Sequence, residues 1–282
     1  MTDSGPTENL HFETVKSFGR EWKRFNQSNL SPLELNELFW TYFHIFPWDN
    51  LPATAEGFDM GCGSGRWAKL VAARVGHLHC IDPSHEALAV AEKNLANVGN
   101  VDFLAGSVDA GLLADGSQDF GYSLGVLHHI PDPLAALAAC TRMLKPGAPF
   151  LLYLYYRFDN RPLWFRTLWR ASDLLRGGIS RLPEGIKSMT TDLLAALVYW
   201  PLARLAGLVE KLGMNPAGLP LSFYRSTSFY TMRTDSRDRF GTPLEQRFTR
   251  SEITCMMEQA GLQAIRFSEK EPFWVAVGEK AA

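Results

Sequence analysis

The stretch GFDMGCGSGRW sets three glycines, Gly61, Gly63 and Gly65, at alternate positions directly behind a short apolar run. Glycine at such a turn lets backbone N–H groups approach a ligand closely. Two carboxylates flank it. Asp59 precedes the first glycine, and Asp82 ends the next apolar run, HCID, ahead of Pro83 and Ser84. A carboxylate at the end of a second strand can accept both hydroxyls of a ribose. It can also cap the helix that follows, alone or with Ser84, and the two roles are compatible. The spacing is GxGxG, and Arg66 stands where a dinucleotide fingerprint has its third glycine. No GK[ST] follows, which excludes a phosphate P-loop. A tight strand-to-helix turn without a ligand stays open as the plain alternative.

Further along, LGVLHHIPD carries His128 and His129. Imidazole titrates near neutrality and can take the proton of a hydroxyl, so either ring is a candidate general base, with His128 placed first. The alternative is a structural pair bonded to backbone. Tyr153, Tyr155 and Tyr156 alternate along PFLLYLYY, so Tyr153 and Tyr155 share one face and Tyr156 takes the other. Tyr153 and Asp159 are the next candidates for the base. No DxD or histidine-rich cluster stands out and the four cysteines are scattered without a CxxC pair, so neither a metal site nor a disulfide framework is expected.

The elements that must position these residues follow from periodicity. GFDM, HLHCID, VDFLAG, DFGYSLGV and PFLLYLYY read as strands. RWAKLVAARV, SHEALAVAEKNLANVG and DPLAALAACTRML read as the helices between them. This alternation predicts an α/β fold: a Rossmann-like, doubly wound, seven-stranded, mostly parallel sheet with helices on both faces. Residues 1–50 form an N-terminal helical cap dense in aromatic side chains, and 51–157 form the first part of the core. The alternation then stops. Residues 158–244 form a helical insertion, read as a lid and substrate domain, and 245–282 complete the core with a helix opened by a Thr249–Glu252 capping box.

In the insertion, Trp164, Leu168, Ala171 and Leu175 share a face of PLWFRTLWRASDLL, and such Leu/Trp-rich helices would shield the site from water or accommodate an apolar portion of the substrate. The apolar stretch from Leu193 to Val209 is interrupted by Pro201 and Arg204 and falls short of the roughly 20 residues of a bilayer span. It reads as one or two buried or surface-seeking helices, with peripheral membrane contact or an apolar part of the substrate as its outlet. The mixed charges of SFYTMRTDSRDRFGTPLEQRF read as a solvated, salt-bridged loop or a polar lid.

The 28 basic and 30 acidic residues nearly cancel, which removes the basic field that nucleic-acid binding requires. The N-terminus lacks the basic start and apolar run of a secretory signal, so a cytoplasmic enzyme is expected. Nothing in the sequence speaks to oligomeric state.

DMGCGSGRW, IDPS, GSVDAGLLADGSQDFGYSLGVLHHIPDP and LKPGAPFLLYLYY, in that order, resemble the class I S-adenosylmethionine-dependent methyltransferases, nearest the subgroup that acts on small molecules. The resemblance spans residues 55–156 and 245–282. It implies that Gly61, Cys62, Gly63 and Gly65 lie against the methionine part of S-adenosyl-L-methionine, with Asp59 at its amino group. Asp82, next to Pro83, would take the ribose. Ser107 and Val108 would border the adenine, Asp109 would substitute for Ser107 as its acceptor, and Leu124 would offer its carbonyl. Ser107 departs from the acidic residue many members carry there. The chain lacks the Asn/Asp-Pro-Pro-aromatic sequence of adenine and amide methylases, which points to a small-molecule acceptor, a hydroxyl of a sugar-containing or secondary metabolite before an amine or carbon. A nucleotide-dependent oxidoreductase and a non-catalytic cofactor-binding scaffold remain the alternatives.

Overall fold

A computed structural model describes residues 9–27 and 29–282. The chain forms two compact units. One takes in the chain up to Lys23, Leu38–Arg157 and Leu244–Ala282; the other takes in Arg24–Glu37 and Phe158–Pro243.

The first unit is built on seven strands: β1 Glu56–Met60, β2 His77–Asp82, β3 Val101–Ala105, β4 Phe120–Leu124, β5 Pro149–Tyr153, β6 Leu262–Phe267 and β7 Val275–Lys280. Their spatial order is β3-β2-β1-β4-β5-β7-β6. All pairs are parallel except those made by β7, which runs antiparallel to β5 and β6. The order reverses between β1 and β4, so the C-terminal ends of these strands frame the crevice where a doubly wound sheet binds its ligand. The sheet is the one that the alternating pattern predicts.

Helices α1 Phe12–Arg24, α2 Pro32–Phe43, α3 Ala68–Ala72, α4 His85–Asn94 and α5 Pro133–Met143 precede the second unit's helices, and α10 Arg250–Gln259 follows them. Local signals set their ends. The Ser84 and Asp132 side chains accept the N–H groups of Ala87 and Ala135, and the Thr249–Glu252 capping box closes in both directions. Two expectations need correction. α3 is half the predicted length, because the chain already turns at Arg74, whose guanidinium lies 5.0–5.8 Å from the rings of Phe39, Trp40 and Trp48. β5 ends at Tyr153, so Tyr155 and Tyr156 lie beyond the strand, with Tyr156 bridging to Phe248.

In the second unit, α6 Leu163–Ile179 precedes a continuous helical run, Glu184–Lys211. The run consists of α7 Glu184–Leu194, a π-helical segment Ala195–Tyr199, and α8 Trp200–Lys211. The proline that was expected to break this stretch is absorbed. Pro201 has no N–H and would crowd the carbonyl one turn earlier, and the wider π turn ahead of it relieves that clash. α9 Phe229–Gly241 covers the segment read as a loop or lid, and it is a helix with Arg237 and Ser236 fully buried. The face of α6 that carries Trp164, Leu168 and Leu175 is solvent-exposed, with all three more than half accessible.

Beneath the crevice, Phe58 on β1 and Phe120 on β4 pack reciprocally over glycines. A Cβ on Gly121 would sit 2.4 Å from the Phe58 ring, and one on Gly57 would sit 2.3 Å from Phe120. Both rings are fully buried and sit in backbone-bounded space. Gly121→Ala should therefore destabilise the protein by ~1–3 kcal/mol through overpacking, read as a lowered midpoint in denaturant. An unchanged midpoint would mean that the ring has room to move.

Candidate functional site

Three positive-φ glycines shape the turn after β1: Gly61 at +80°, Gly63 at +55° and Gly65 at +73°. Side chains from elsewhere occupy the space their Cβ atoms would need. Val126 lies 2.4 Å from the Gly61 position, and the Trp22 indole of α1 lies 2.8 Å from that of Gly63. Asp82 holds this turn in place. Its Oδ2 accepts the Gly63 N–H at 3.0 Å, and its Oδ1 accepts the Ser84 N–H at 2.9 Å. One carboxylate thus ties the glycine turn to the start of α4. Burial pushes Asp82 up to about 6.

Asp59 lies one strand over, and its Oδ2 accepts the Tyr122 hydroxyl at 2.9 Å. The two are register partners on β1 and β4. Burial, aided by the Asp82 charge and opposed by the Tyr122 hydrogen bond, pushes Asp59 up to about 8. At neutral pH Asp59 is therefore mostly protonated while Asp82 is mostly ionised. Cys62 is buried beside this pair. Pro83 is half-buried at the turn after Asp82.

Beyond β3, Ser107 and Val108 are buried, and the Ser107 hydroxyl donates to Asp109 at 2.6 Å. The backbone N–H of Asn9 also donates to Asp109, at 2.9 Å. With its proton committed, the Ser107 oxygen keeps lone pairs to accept with. Leu124 ends β4 half-buried.

After β4, a short 3-10 turn carries both histidines. They differ. His128 is fully buried, neither of its ring nitrogens has a hydrogen-bond partner among the described residues, and burial pushes its pKa well below the usual imidazole range. His129 donates from Nδ1 to the Leu244 carbonyl at 2.6 Å, which fixes the tautomer and leaves Nε2 as the basic nitrogen. The sequence ranked His128 first; the hydrogen bonding favours His129. Asp159 belongs to the second unit.

Rings form an arc along these strand ends: Trp67, Tyr42, Tyr153, Tyr155, His128, His129 and Phe18. Successive centroids lie 5.2, 5.2, 5.8, 3.9, 3.9 and 5.0 Å apart. Sequence spacing could not show it, because its members come from α1, α2, the glycine turn, β4's end and β5. α1 also buries a polar stripe, Thr14, Ser17 and Glu21, on the side that carries Trp22 against Gly63. The hydroxyls of Ser17 and of Ser64, inside the glycine turn, are buried without a partner among the described residues. Such orphans mark a place made for a polar guest. The roles of Tyr122, Trp22 and Ser17 had no sequence signal beyond their helical or strand position.

Residues 58–152 match the family model described as a methyltransferase domain. A ubiquinone biosynthesis O-methyltransferase of Dechloromonas aromatica is 32% identical over 62% of this chain and 76% of its own length. One of Methylococcus capsulatus is 27% identical over 74% of this chain and 88% of its own. An S-adenosylmethionine-dependent methyltransferase of Methanosarcina mazei shares the fold, with a TM-score of 0.51 at 17% identity over 84% of this chain and 98% of that one.

The raised Asp59 carries a stability signature. A carboxyl that holds its proton in the fold up to about pH 8, but loses it near pH 4 when unfolded, makes the folded state bind more protons between those values. Stability from this group therefore falls as pH rises through that window. Asp59→Asn removes the component, so its melting temperature should gain on wild type between about pH 5 and pH 9. Scanning fluorimetry of the unliganded protein reads the difference, and parallel curves would reject the assignment.

Proposed function

Because the chain belongs to the class I S-adenosylmethionine-dependent methyltransferases, we propose that it methylates a hydroxyl of a small-molecule acceptor by in-line displacement. The observation that carries the site assignment is Asp82 holding Gly63 and Ser84 at the switch point of the sheet. The residues fit the cofactor. Two buried carboxylates at the ends of adjacent strands, with the orphaned Ser64 hydroxyl in the glycine turn and that of Ser17 on α1, offer acceptors for ribose and amino groups. In this reading Asp82, beside Pro83, takes the ribose hydroxyls, and Asp59 takes the amino group. Gly61, Cys62, Gly63 and Gly65 line the methionine part. Ser107, Val108, Asp109 and the Leu124 carbonyl border the adenine.

When bound, the cofactor supplies an electrophilic methyl on its sulfonium. The chain's own task is to align a nucleophile and remove its proton, and positioning alone can be worth roughly 7–11 kcal/mol. His129 is the base in this reading, since its Nδ1–H is anchored on Leu244 and its Nε2 is free of a proton in the neutral ring. His128 supports it by ring packing, and Tyr153 and Tyr155 form part of the wall. The aromatic arc suits an acceptor that is itself a flat ring. The relatives' name, O-methyltransferase of ubiquinone biosynthesis, favours a hydroxyl on a ubiquinone precursor over the sugar hydroxyl expected from sequence.

The helical unit is the specificity domain in this reading. Of its four connections to the catalytic unit, one runs into Leu244, whose carbonyl is the His129 anchor.

Two measurements test the proposal. Asp82→Ala removes two charge-assisted acceptors and should weaken S-adenosylhomocysteine binding by ~1.5–3 kcal/mol in calorimetry. Near neutral pH, wild-type binding of S-adenosylmethionine should release part of a proton as the ligand's ammonium ionises Asp59, and Asp59→Asn should abolish that release. Wild-type protein that binds neither compound, or an Asp82→Ala variant that binds normally, would overturn the cofactor assignment. For the base, His129→Ala should lower turnover about 100-fold or more with cofactor affinity retained, while His128→Phe stays within about tenfold. The reverse order would return the role to His128.

A further inference from the structure

The helical unit buries only a small apolar cluster, Tyr199, Ala203, Met232 and Phe240, beside polar groups, and carries most of its large apolar side chains outside. Along Glu184–Lys211 the buried residues are Lys187, Thr191, Ala195, Tyr199, Ala203 and Ala206. Lys187 donates to the Gly241 carbonyl, and the Thr191 carbonyl accepts the Ser236 hydroxyl. α9 buries Thr231, Thr234, Ser236 and Arg237 together with Met232 and Phe240. The outward stripe, at helical spacing, is Met189, Leu193, Leu197, Trp200, Leu205 and Leu208. Leu197 is 71% exposed and Met189 60%. On α6, Trp164, Leu168, Leu174 and Leu175 are exposed as well. A helix solvated by water on its outer face has the opposite arrangement. This one is suited to a surface where the outside is hydrocarbon.

Charge identifies the occupant. The unit holds 13 Lys and Arg against 9 Asp and Glu, a net +4, while the rest of the chain holds 15 against 21, a net −6. The overall −2 hides this division. Beside the stripe, Arg24 and Arg233 converge on the single carboxylate of Asp192, at 2.6 and 2.9 Å. They flank an open cleft of about 600 Å³ whose apolar walls are Met189, Leu193, Ala196 and Phe229. Two cations against one anion, next to an apolar cleft, match an anionic headgroup and the start of its acyl chain. A second copy of the unit would instead bring +4 against +4.

We propose that the helical unit docks on the surface of an anionic lipid bilayer, with Glu184–Lys211 lying in the interface and its apolar stripe at the acyl boundary. Arg24 and Arg233 sit at headgroup level. The Lys187 and Thr191 face stays on α9, so the helix lies on the membrane and does not cross it. This inference stands apart from the identity of the methyl acceptor.

Vesicle flotation of the full chain tests it, with phosphatidylcholine alone and with about one-third phosphatidylglycerol added. The protein should float with the anionic vesicles and bind the neutral ones roughly tenfold less. The double variant Leu197→Glu, Leu205→Glu alters only exposed positions and should lose at least about tenfold in vesicle binding. Its circular dichroism and S-adenosylhomocysteine binding should stay at wild-type values, which separates this proposal from the cofactor assignment. No flotation with either vesicle, or equal flotation of the double variant, overturns the proposal. A lipid-free dimer in light scattering that the double variant converts to monomer overturns it in favour of a second copy.

Discussion

The carboxylate of Asp82 is the constraint on which the site depends. Buried at the end of β2, it spends one oxygen on the Gly63 N–H and the other on the Ser84 N–H. Without it, the Gly63 part of the turn would lose its tie, leaving the Gly61 and Cys62 N–H bonds to the Ile81 carbonyl, and the Ser84 N–H at the start of α4 would lose its acceptor. The turn in turn sets what can stand next to it. Val126 and Trp22 fill the volumes that side chains at Gly61 and Gly63 would occupy, so backbone conformation and tertiary packing specify each other there.

Around that anchor the crevice divides its electrostatics between two carboxyls. Asp82 is mostly ionised at neutral pH, and Asp59, a strand away and bonded to Tyr122, is mostly protonated. Burial is the main reason Asp59 keeps its proton, and the nearby Asp82 charge adds to it. The ring arc from Trp67 to Phe18 borders this polar floor with aromatic walls. Polar floor and aromatic wall together make a crevice of mixed character at the strand ends.

The helical unit follows a different rule. Its interior combines a small apolar cluster with polar contacts, the Arg237–Glu184 ion pair at 2.6 Å among them. Its leucines and tryptophans face outward. The insertion therefore leaves far more of its large apolar side chains exposed than the sheet unit does.

Whatever depended on neighbours a few residues apart was legible in the sequence. The strand–helix alternation yielded the sheet, and Asp82, Ser84, Asp132 and the Thr249–Glu252 box fixed helix starts where short-range hydrogen bonds require them. The glycine spacing marked the turn. What depended on partners far along the chain was not legible. Asp59 meets Tyr122 across 63 residues, and His129 meets Leu244 across 115, so the protonation of one and the tautomer of the other are products of folding. The same distance rule hid the inverted helices. Periodicity shows that Trp164, Leu168 and Leu175 share a face, but which side of a helix meets the rest of the protein is decided by what packs there. In this chain the side of Glu184–Lys211 that carries Lys187, Thr191 and Tyr199 found α9, and the side that carries Leu193, Leu197 and Leu205 was left outward.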